Sequence, residues 1–383
     1  MTNSQSPRRI AMMLESDGPG GAEVMTLRLS EELRAIGHTV IPVGPAHGIG
    51  WLGERYRGAG FSPEQFHLRG PLDPGCVCGL MQLFRRHRID LVHSHEFTMA
   101  VYGAAASRLL GIPHVITLHG SMTVGKAMRR RIALRWAMRA SRKTVVVSEA
   151  TRRQFAAEFG VSESSLAVVP NGVSVRGGDS AGVREEFRIG RDERVLLAVG
   201  TLEPRKGHRV LLQALAALDH SGLATPWRLI IAGGRGGPEH QSLEQLIRNE
   251  QLDRRVHIET NRNDIADLLA LADIFVMPSL WEGLPMALLE AMLASKAIVA
   301  SATSGIPEAI VDGRDGLLVA PGSVPELAGA LHSLLTDDAR RNALALAAGA
   351  RARREFTARV MARNYEVHYG PSSPLRRLSL VRA

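Results

Sequence analysis

Two glutamates separated by seven residues, Glu282 and Glu290, and an adjacent cation pair, Arg205 and Lys206, carry the clearest chemistry in this chain of 383 residues. A strand is expected to end at Pro278, and Pro285 is well placed to open a helix. Glu282 then lies in a loop and Glu290 more than one turn inside a helix, so their carboxylates point to different parts of one ligand. As hydroxyl acceptors, one would hold sugar hydroxyls and the other ribose hydroxyls. The helix amides that follow Pro285 would make an anion site. A paired-carboxylate hydrolase fits less well, because both glutamates are better explained by hydroxyl binding.

Arg205 and Lys206 stand in Gly200-Thr201-Leu202-Glu203-Pro204-Arg205-Lys206-Gly207, after one predicted strand and before a helix over residues 208–218. The pair suits a diphosphate, since Arg binds two phosphate oxygens in a fork and Lys adds a point charge. Cations at a helix start oppose the helix dipole unless an anion shares the site, and a solvated pair is the plainer alternative. A second glycine-rich turn, Ser16-Asp17-Gly18-Pro19-Gly20-Gly21-Ala22-Glu23, follows the first strand. Bare backbone there would approach an anion. Its spacing is not the dinucleotide fingerprint, which argues against an oxidoreductase, and a purely structural turn stays open. His93 and His95, two apart on a strand, point the same way and raise the question of a metal, but no third ligand accompanies them and none is expected. His119 is the better functional histidine.

These residues need strands to carry them. The first half alternates strand runs (residues 9–14, 39–43, 90–95, 114–119 and 144–148) with helical stretches such as 22–36, and a second series begins near Arg194 (195–199, 228–232, 256–259, 274–278, 297–300 and 317–320). Such alternation predicts parallel sheets covered by helices, with ligands at the strand carboxyl ends. Between the series, residues 175–190 read as a linker. After Pro321 the chain turns helical to Arg354, followed by a helix over 357–369 and a basic tail. The expected domains are residues 1–180, 181–354, and 355–383 as a C-terminal helix and basic tail, with the option that the helix packs back on the first domain.

A length of 383 residues gives room for two domains, and 45% hydrophobic with 22% charged residues is ordinary for a globular protein. The net charge of +9 favours an acidic partner. Nucleic acid is not expected, because aromatics are only 4% and no recognition motif is present. Cys76 and Cys78 read as ordinary thiols. No apolar run approaches the length of a membrane span. From Lys126 to Lys143 the sequence holds eight cations, with Met128, Ile132 and Trp136 at successive i+4 positions. That stripe would either rest on anionic lipid or pack on the first sheet.

The Glu282–Glu290 segment resembles the E-x7-E motif of the retaining family 4 glycosyltransferases, which have the GT-B fold of two Rossmann-like α/β domains facing across a central cleft. The likeness runs over nearly the whole chain: Gly20-Gly21-Ala22-Glu23, Val92-His93-Ser94-His95, Thr117-Leu118-His119-Gly120, Val169-Pro170-Asn171-Gly172-Val173, Ile231-Ala232-Gly233-Gly234 and Ser304-Gly305-Ile306-Pro307-Glu308 match in order. The resemblance implies that Glu290 holds the ribose and that Glu282 faces the transferred sugar. It implies that the amides near Met286 and Ala287 meet the diphosphate, and that Arg205 and Lys206 neutralise the leaving group. His119 would contact the donor sugar from the first domain. Gly20, Gly21, Gly200, Gly233 and Gly283 would line the donor. Many members carry Arg where this chain has Thr201, and Arg205 would supply that guanidinium.

The implied enzyme is a metal-independent hexosyltransferase that needs no cofactor. It would move a sugar with retention from a nucleoside-diphosphate sugar to a glycan or lipid-linked acceptor in cell-surface polysaccharide or glycolipid synthesis. A cytoplasmic location follows, with a peripheral place on the inner face of the membrane as the option opened by the basic segment. A nucleotide-sugar epimerase of the same fold and a non-catalytic nucleotide-sugar-binding protein are the competing readings.

Overall fold

The computed structural model describes residues 6–46, 50–120, 127–174, 177–234 and 236–370. The chain forms two compact units: Met1–Gly172 with Ala358–Ala383, and Val173–Thr357. Lys126 and the basic tail beyond residue 370 fall outside the described residues.

The first unit runs β1 (Arg9–Met13), α1 (Gly21–Ala35), β2 (Thr39–Pro45), α2 (Trp51–Gly58), β3 (Glu64–Phe66), α3 (Pro74–Arg86), β4 (Leu91–His95) and α4 (Glu96–Leu110). It continues through β5 (His114–Leu118), α5 (Met128–Ala140), β6 (Lys143–Val146), α6 (Glu149–Phe159) and β7 (Leu166–Val168). Among the described residues its seven strands form a parallel sheet in the order β3-β2-β1-β4-β5-β6-β7. The central strands are buried on both faces, as in helix-covered parallel sheets, with β4 carrying polar His93, Ser94 and His95 inside. Asp73 and Ser148 cap α3 and α6, and Gly111 and Gly160 close α4 and α6 in left-handed conformation.

The second unit runs α7 (Ser180–Glu186), β8 (Arg194–Val199), α8 (His208–His220), β9 (Trp227–Gly233), α9 (Pro238–Asn249), β10 (Val256–Thr260), α10 (Ile265–Leu271) and β11 (Ile274–Met277). Then come α11 (Met286–Leu293), β12 (Ala297–Ser301), α12 (Ile306–Ala309), β13 (Leu317–Val319), α13 (Val324–Thr336) and α14 (Asp338–Glu355). Its parallel sheet has the order β10-β9-β8-β11-β12-β13. Leu196, Leu211, Leu215, Trp227, Ile231 and Leu331 anchor its core.

Residues 175–190 are not a bare linker. They contain α7, which Asp179 caps and which Glu186 ties to Arg262 in the second unit. Within α7 only Val183 is buried, with Phe187 at the C-cap, too few apolar positions to show a helical period, which hid the element. That unit begins already at Val173, which bridges Thr357 and donates to the Phe356 carbonyl at 2.8 Å.

The last helix, α15 (Ala358–Tyr369), packs in the first unit against α1. Arg8, just before β1, bonds the carbonyls of Tyr369 and Gly370, a cation placed at a helix C-terminus. Buried Tyr365 and Tyr369 reach the ends of β4 and β5.

On α5, Leu134 and Ala137 are buried, and they hold the helix to the core with Phe155 and Phe159 of α6. The stripe of Met128, Ile132 and Trp136 faces away from that core, with exposures of 65%, 61% and 43%. Of the two options the sequence left open for this stripe, packing on the sheet is not the one observed. No described helix is long and apolar enough to cross a membrane.

Candidate active site

In the second unit the strand order reverses between β8 and β11, which are hydrogen-bonded neighbours. Crevices at such a reversal, outside the strand carboxyl ends, are where open α/β sheets bind ligands. Both charged segments follow these strands. After β8, a single 3-10 turn, Pro204–Lys206, ends at Gly207 with φ +69° and leads into α8. After β11, residues 278–285 loop over to α11. The loops are joined by a 2.7 Å bond from Leu280 N to the Arg205 carbonyl, and any side chain at Gly207 would run into the Pro278 carbonyl. Gly207 is therefore required twice over, by its left-handed backbone and by that approach.

Glu282 is the centre of the arrangement. It is 6% exposed, yet it sits among cations: Lys206 Nζ lies 2.6 Å from one oxygen and Arg205 Nη1 3.5 Å from the other. Ser279 Oγ donates to the same oxygen as Lys206, at 2.8 Å. The Glu282 amide donates to Ser304 Oγ at 3.3 Å, and Ser304 itself has φ +50°, an uncommon conformation for a non-glycine residue. Arg205 also donates to Glu203 at 2.7 Å. Burial raises the Glu203 carboxyl, but bonds from Thr201 and Arg205 outweigh it and hold the group below its usual range. Two cations thus face two carboxylates, a cluster in which the chain's own acids pair the cations. His208, the first residue of α8, is buried and pushed down to about 4 by desolvation, which outweighs the opposing Thr201 carbonyl, and by nearby Lys206.

Pro285 precedes α11 without a side-chain cap, so among the described residues the amides of Met286 and Ala287 have no capping side chain from that position. Glu290 is half-buried, four residues further along. Gly200 lies against the Lys206 side chain, and Gly233 accommodates Leu202. The Gly283 carbonyl accepts from Gly305 N at 3.0 Å.

The first unit has its own reversal, between β1 and β4. Here the cluster is neutral. His93 bonds Tyr369 Oη at 3.0 Å and Thr117 Oγ1 at 2.8 Å, and Thr117 bonds Tyr365 Oη at 3.0 Å. His95 bonds His119 at 3.1 Å. Burial pushes His119 down to about 4 and His93 and His95 well below their ordinary value, so these rings are uncharged at neutral pH. No group of three or more His, Cys, Asp or Glu side chains is placed to hold a metal ion among the described residues.

Gly20 and Gly21 begin α1, but the Glu23 carboxylate folds back over Gly20. The chain's own acid already occupies that helix start, where an external anion was expected. Asp17, from the same loop, accepts from the amides of Leu52 and Gly53 at 2.9 and 3.1 Å and so caps α2. Of the expected residues, the structure groups Arg205, Lys206 and Glu282 in direct contact and puts the α11 start and Glu290 on the adjoining helix. It puts His119, Gly20 and Gly21 in the other unit. Ser279, Glu203 and Ser304 are site residues that the sequence reading did not single out. Ser279 had a readable signal, since its hydroxyl stands three residues before Glu282.

Comparison with known proteins agrees with this geometry. Residues 180–351 match the family model described as glycosyl transferases group 1, and residues 19–176 match glycosyltransferase family 4. The UDP-Gal:alpha-D-GlcNAc-diphosphoundecaprenol alpha-1,3-galactosyltransferase of Escherichia coli is 27% identical over 281 residues, which span 70% of this chain and 71% of the relative. The 2-deoxystreptamine glucosyltransferase of Streptomyces kanamyceticus is 29% identical over 280 residues, 68% of this chain and 71% of the relative. In three dimensions the chain is similar to HepE of Anabaena, solved in complex with UDP, with a TM-score of 0.80 at 23% identity over 94% of this chain and 98% of the other. The chain belongs to the group 1 glycosyltransferases, family 4, and has the GT-B fold.

Proposed function

We propose that this glycosyltransferase moves a hexose, with retention at the anomeric carbon, from a nucleoside-diphosphate sugar to a glycan or lipid-linked acceptor in cell-surface polysaccharide or glycolipid synthesis. The observation that carries the reading is Glu282, buried between Lys206 and Arg205 beside the open amides of α11. In this proposal the donor diphosphate takes the amides of Met286 and Ala287 together with Arg205 and Lys206. Glu290 holds the ribose, and Glu282 accepts from hydroxyls of the transferred sugar. Gly200 leaves room for the Lys206 side chain, and Gly283 presents bare backbone beside the donor. The acceptor oxygen attacks on the face from which the diphosphate leaves. Fixed positive charge on the departing phosphates is then the protein's largest contribution to rate. Arg205, Lys206 and the helix amides perform the neutralisation that a metal would otherwise supply, so no cofactor is invoked. A relative named for transfer to a diphosphoundecaprenol-linked sugar supports the acceptor class.

A screen of purified nucleotide sugars for slow donor hydrolysis tests this. The expected outcome is one nucleoside diphosphate released preferentially, with the α-anomer retained when an α-linked donor is turned over. Interconversion of the donor without release would instead support an epimerase.

The acceptor class also suggests where the enzyme works. Exposed Met128, Ile132 and Trp136 share the outer face of α5 with Arg135 and Arg139, an arrangement suited to lying on anionic lipid at the inner face of the membrane. Flotation with vesicles rich in phosphatidylglycerol is expected to carry the protein, and Ile132→Glu with Trp136→Glu to release it. Equal flotation with neutral phosphatidylcholine vesicles would contradict an electrostatic surface.

A further inference from the structure

Two rings and a sulfur in the first unit are ordered in a way that fixes where the protons lie. Met12 of β1 is buried, and its Sδ lies 3.1 Å from His95 Nε2. On its other side His95 meets His119 through Nδ1 and Nε2, 3.1 Å apart. The two ring planes differ by 21° with centroids 5.4 Å apart, which places the rings edge to edge rather than face on face. A thioether accepts a hydrogen bond and has no proton to give. The hydrogen between Met12 and His95 therefore belongs to His95 Nε2. A neutral imidazole carries only one N–H, so His95 Nδ1 is bare and must accept from His119 Nε2–H. His119 has then spent its own single N–H, and its Nδ1 keeps a lone pair. Among the described residues none bonds to that Nδ1.

The backbone of His119 is held as well. Its amide donates to Glu96 Oε1 at 3.2 Å. Glu96 stands immediately after His95 with φ +62°, a left-handed conformation that costs a non-glycine residue energy and persists only where its surroundings impose it. The end of β4 thus grips both the ring and the main chain of the residue that ends β5.

We infer that Met12 and His95 are positioning residues that lock His119 into the Nε2–H tautomer, so that its Nδ1 accepts a hydrogen bond from a hydroxyl of a sugar substrate. The inference rests on the proposed glycosyl transfer and on the reading, implied by the resemblance to the family 4 enzymes, that His119 contacts a sugar substrate. It adds the polarity of that contact: His119 takes a hydroxyl proton and gives none, so it selects for a ligand O–H at that point over a bare carbonyl or ether oxygen. Burial keeps the relay neutral, since a charged His95 would place a second N–H against His119.

Long-range nitrogen–proton NMR of ligand-free, histidine-labelled protein at pH 7 reads the tautomers directly. The wild type is expected to show both His95 and His119 as Nε2–H. Met12→Leu conserves volume but removes the acceptor, and both rings are then expected to redistribute toward mixed tautomers. A wild-type His119 found as Nδ1–H or charged overturns the inference, as does a Met12→Leu protein with unchanged populations. With the donor identified by hydrolysis, Met12→Leu is expected to raise KM several-fold while stabilisation by the free nucleoside diphosphate stays unchanged. Redistributed tautomers with an unchanged KM would refute the role in binding. If no nucleotide binds, the proposed function fails while the tautomer result stands.

Discussion

The two units share a topology and differ in chemistry. Each is a parallel sheet whose strand order reverses once, between β1 and β4 in the first and between β8 and β11 in the second, and each gathers its polar residues at that reversal. In the second unit the gathered groups are ions, with Lys206 and Arg205 set against Glu282 and Glu203. In the first they are neutral rings and hydroxyls, His93, His95 and His119 with Thr117, Tyr365 and Tyr369. One fold supplies the same geometric opportunity twice, and loop and strand-end residues decide whether it suits an anion or a set of hydroxyls. A cluster of paired ions offers cations that a diphosphate could take over from the chain's own carboxylates. A neutral hydrogen-bonded cluster discriminates among hydroxyl patterns without repelling any of them.

Acidification should separate the units most strongly. His93, His95, His114 and His119 of the first unit are held neutral by burial, with His114 pushed down to about 3 and His119 to about 4. In the second unit His208 is the fully buried counterpart, pushed down to about 4. Below an ordinary histidine value of about 6.5 the unfolded chain takes up protons that the folded state refuses, so stability is full above that pH and falls as pH drops toward 4. Each such ring contributes at most about 1.4 kcal/mol per pH unit over that range. Hydrogen exchange, corrected for intrinsic rates, should show the first unit opening before the second between pH 6.5 and 4. Equal loss in both would break the contrast between a neutral and a charged cluster.

Next in size is the loss of one ion. Lys206→Ala leaves buried Glu282 with the Ser279 hydroxyl and the longer Arg205 contact, and should lower kcat/KM by about 10²–10³-fold, the effect typical of deleting one group that stabilises developing charge. Steady-state kinetics on the identified donor measure this, and a loss below about tenfold would remove Lys206 from the leaving-group role. Smaller again is Gly207→Ala, which forces a side chain into left-handed backbone against the Pro278 carbonyl and should cost about 1–3 kcal/mol in chemical denaturation. The smallest effect belongs to the neutral cluster. Tyr369→Phe removes one buried hydrogen bond to His93 and should cost about 1 kcal/mol by the same measurement.

The positions of the site residues on the fold were legible because they follow strands, and strands are runs of buried apolar residues that announce themselves. The strands carrying Gly200, Glu282 and His119 were all expected within a residue or two of where they end. Their partners were not legible. Nothing local says that Lys206, 76 residues away, neutralises Glu282, or that Glu23 covers Gly20. Such contacts depend on which strands become neighbours. β3 and β7, three-residue strands with a single buried residue each, escaped notice, whereas the equally short β13 buries two. The helix α5 shows the opposite limit: its periodicity revealed an apolar stripe but not the side on which it lies, because Leu134 and Ala137 suffice to hold it down.

The charged cluster of the second unit is proposed as a nucleoside-diphosphate site. Thermal unfolding in the presence of UDP, GDP, ADP and dTDP tests it most directly, with Glu290→Ala as the paired variant. One nucleotide should raise the melting temperature of the wild type through preferential binding to the folded state, and the variant should lose that shift. No stabilisation by any of the four, or an undiminished shift in Glu290→Ala, would contradict it.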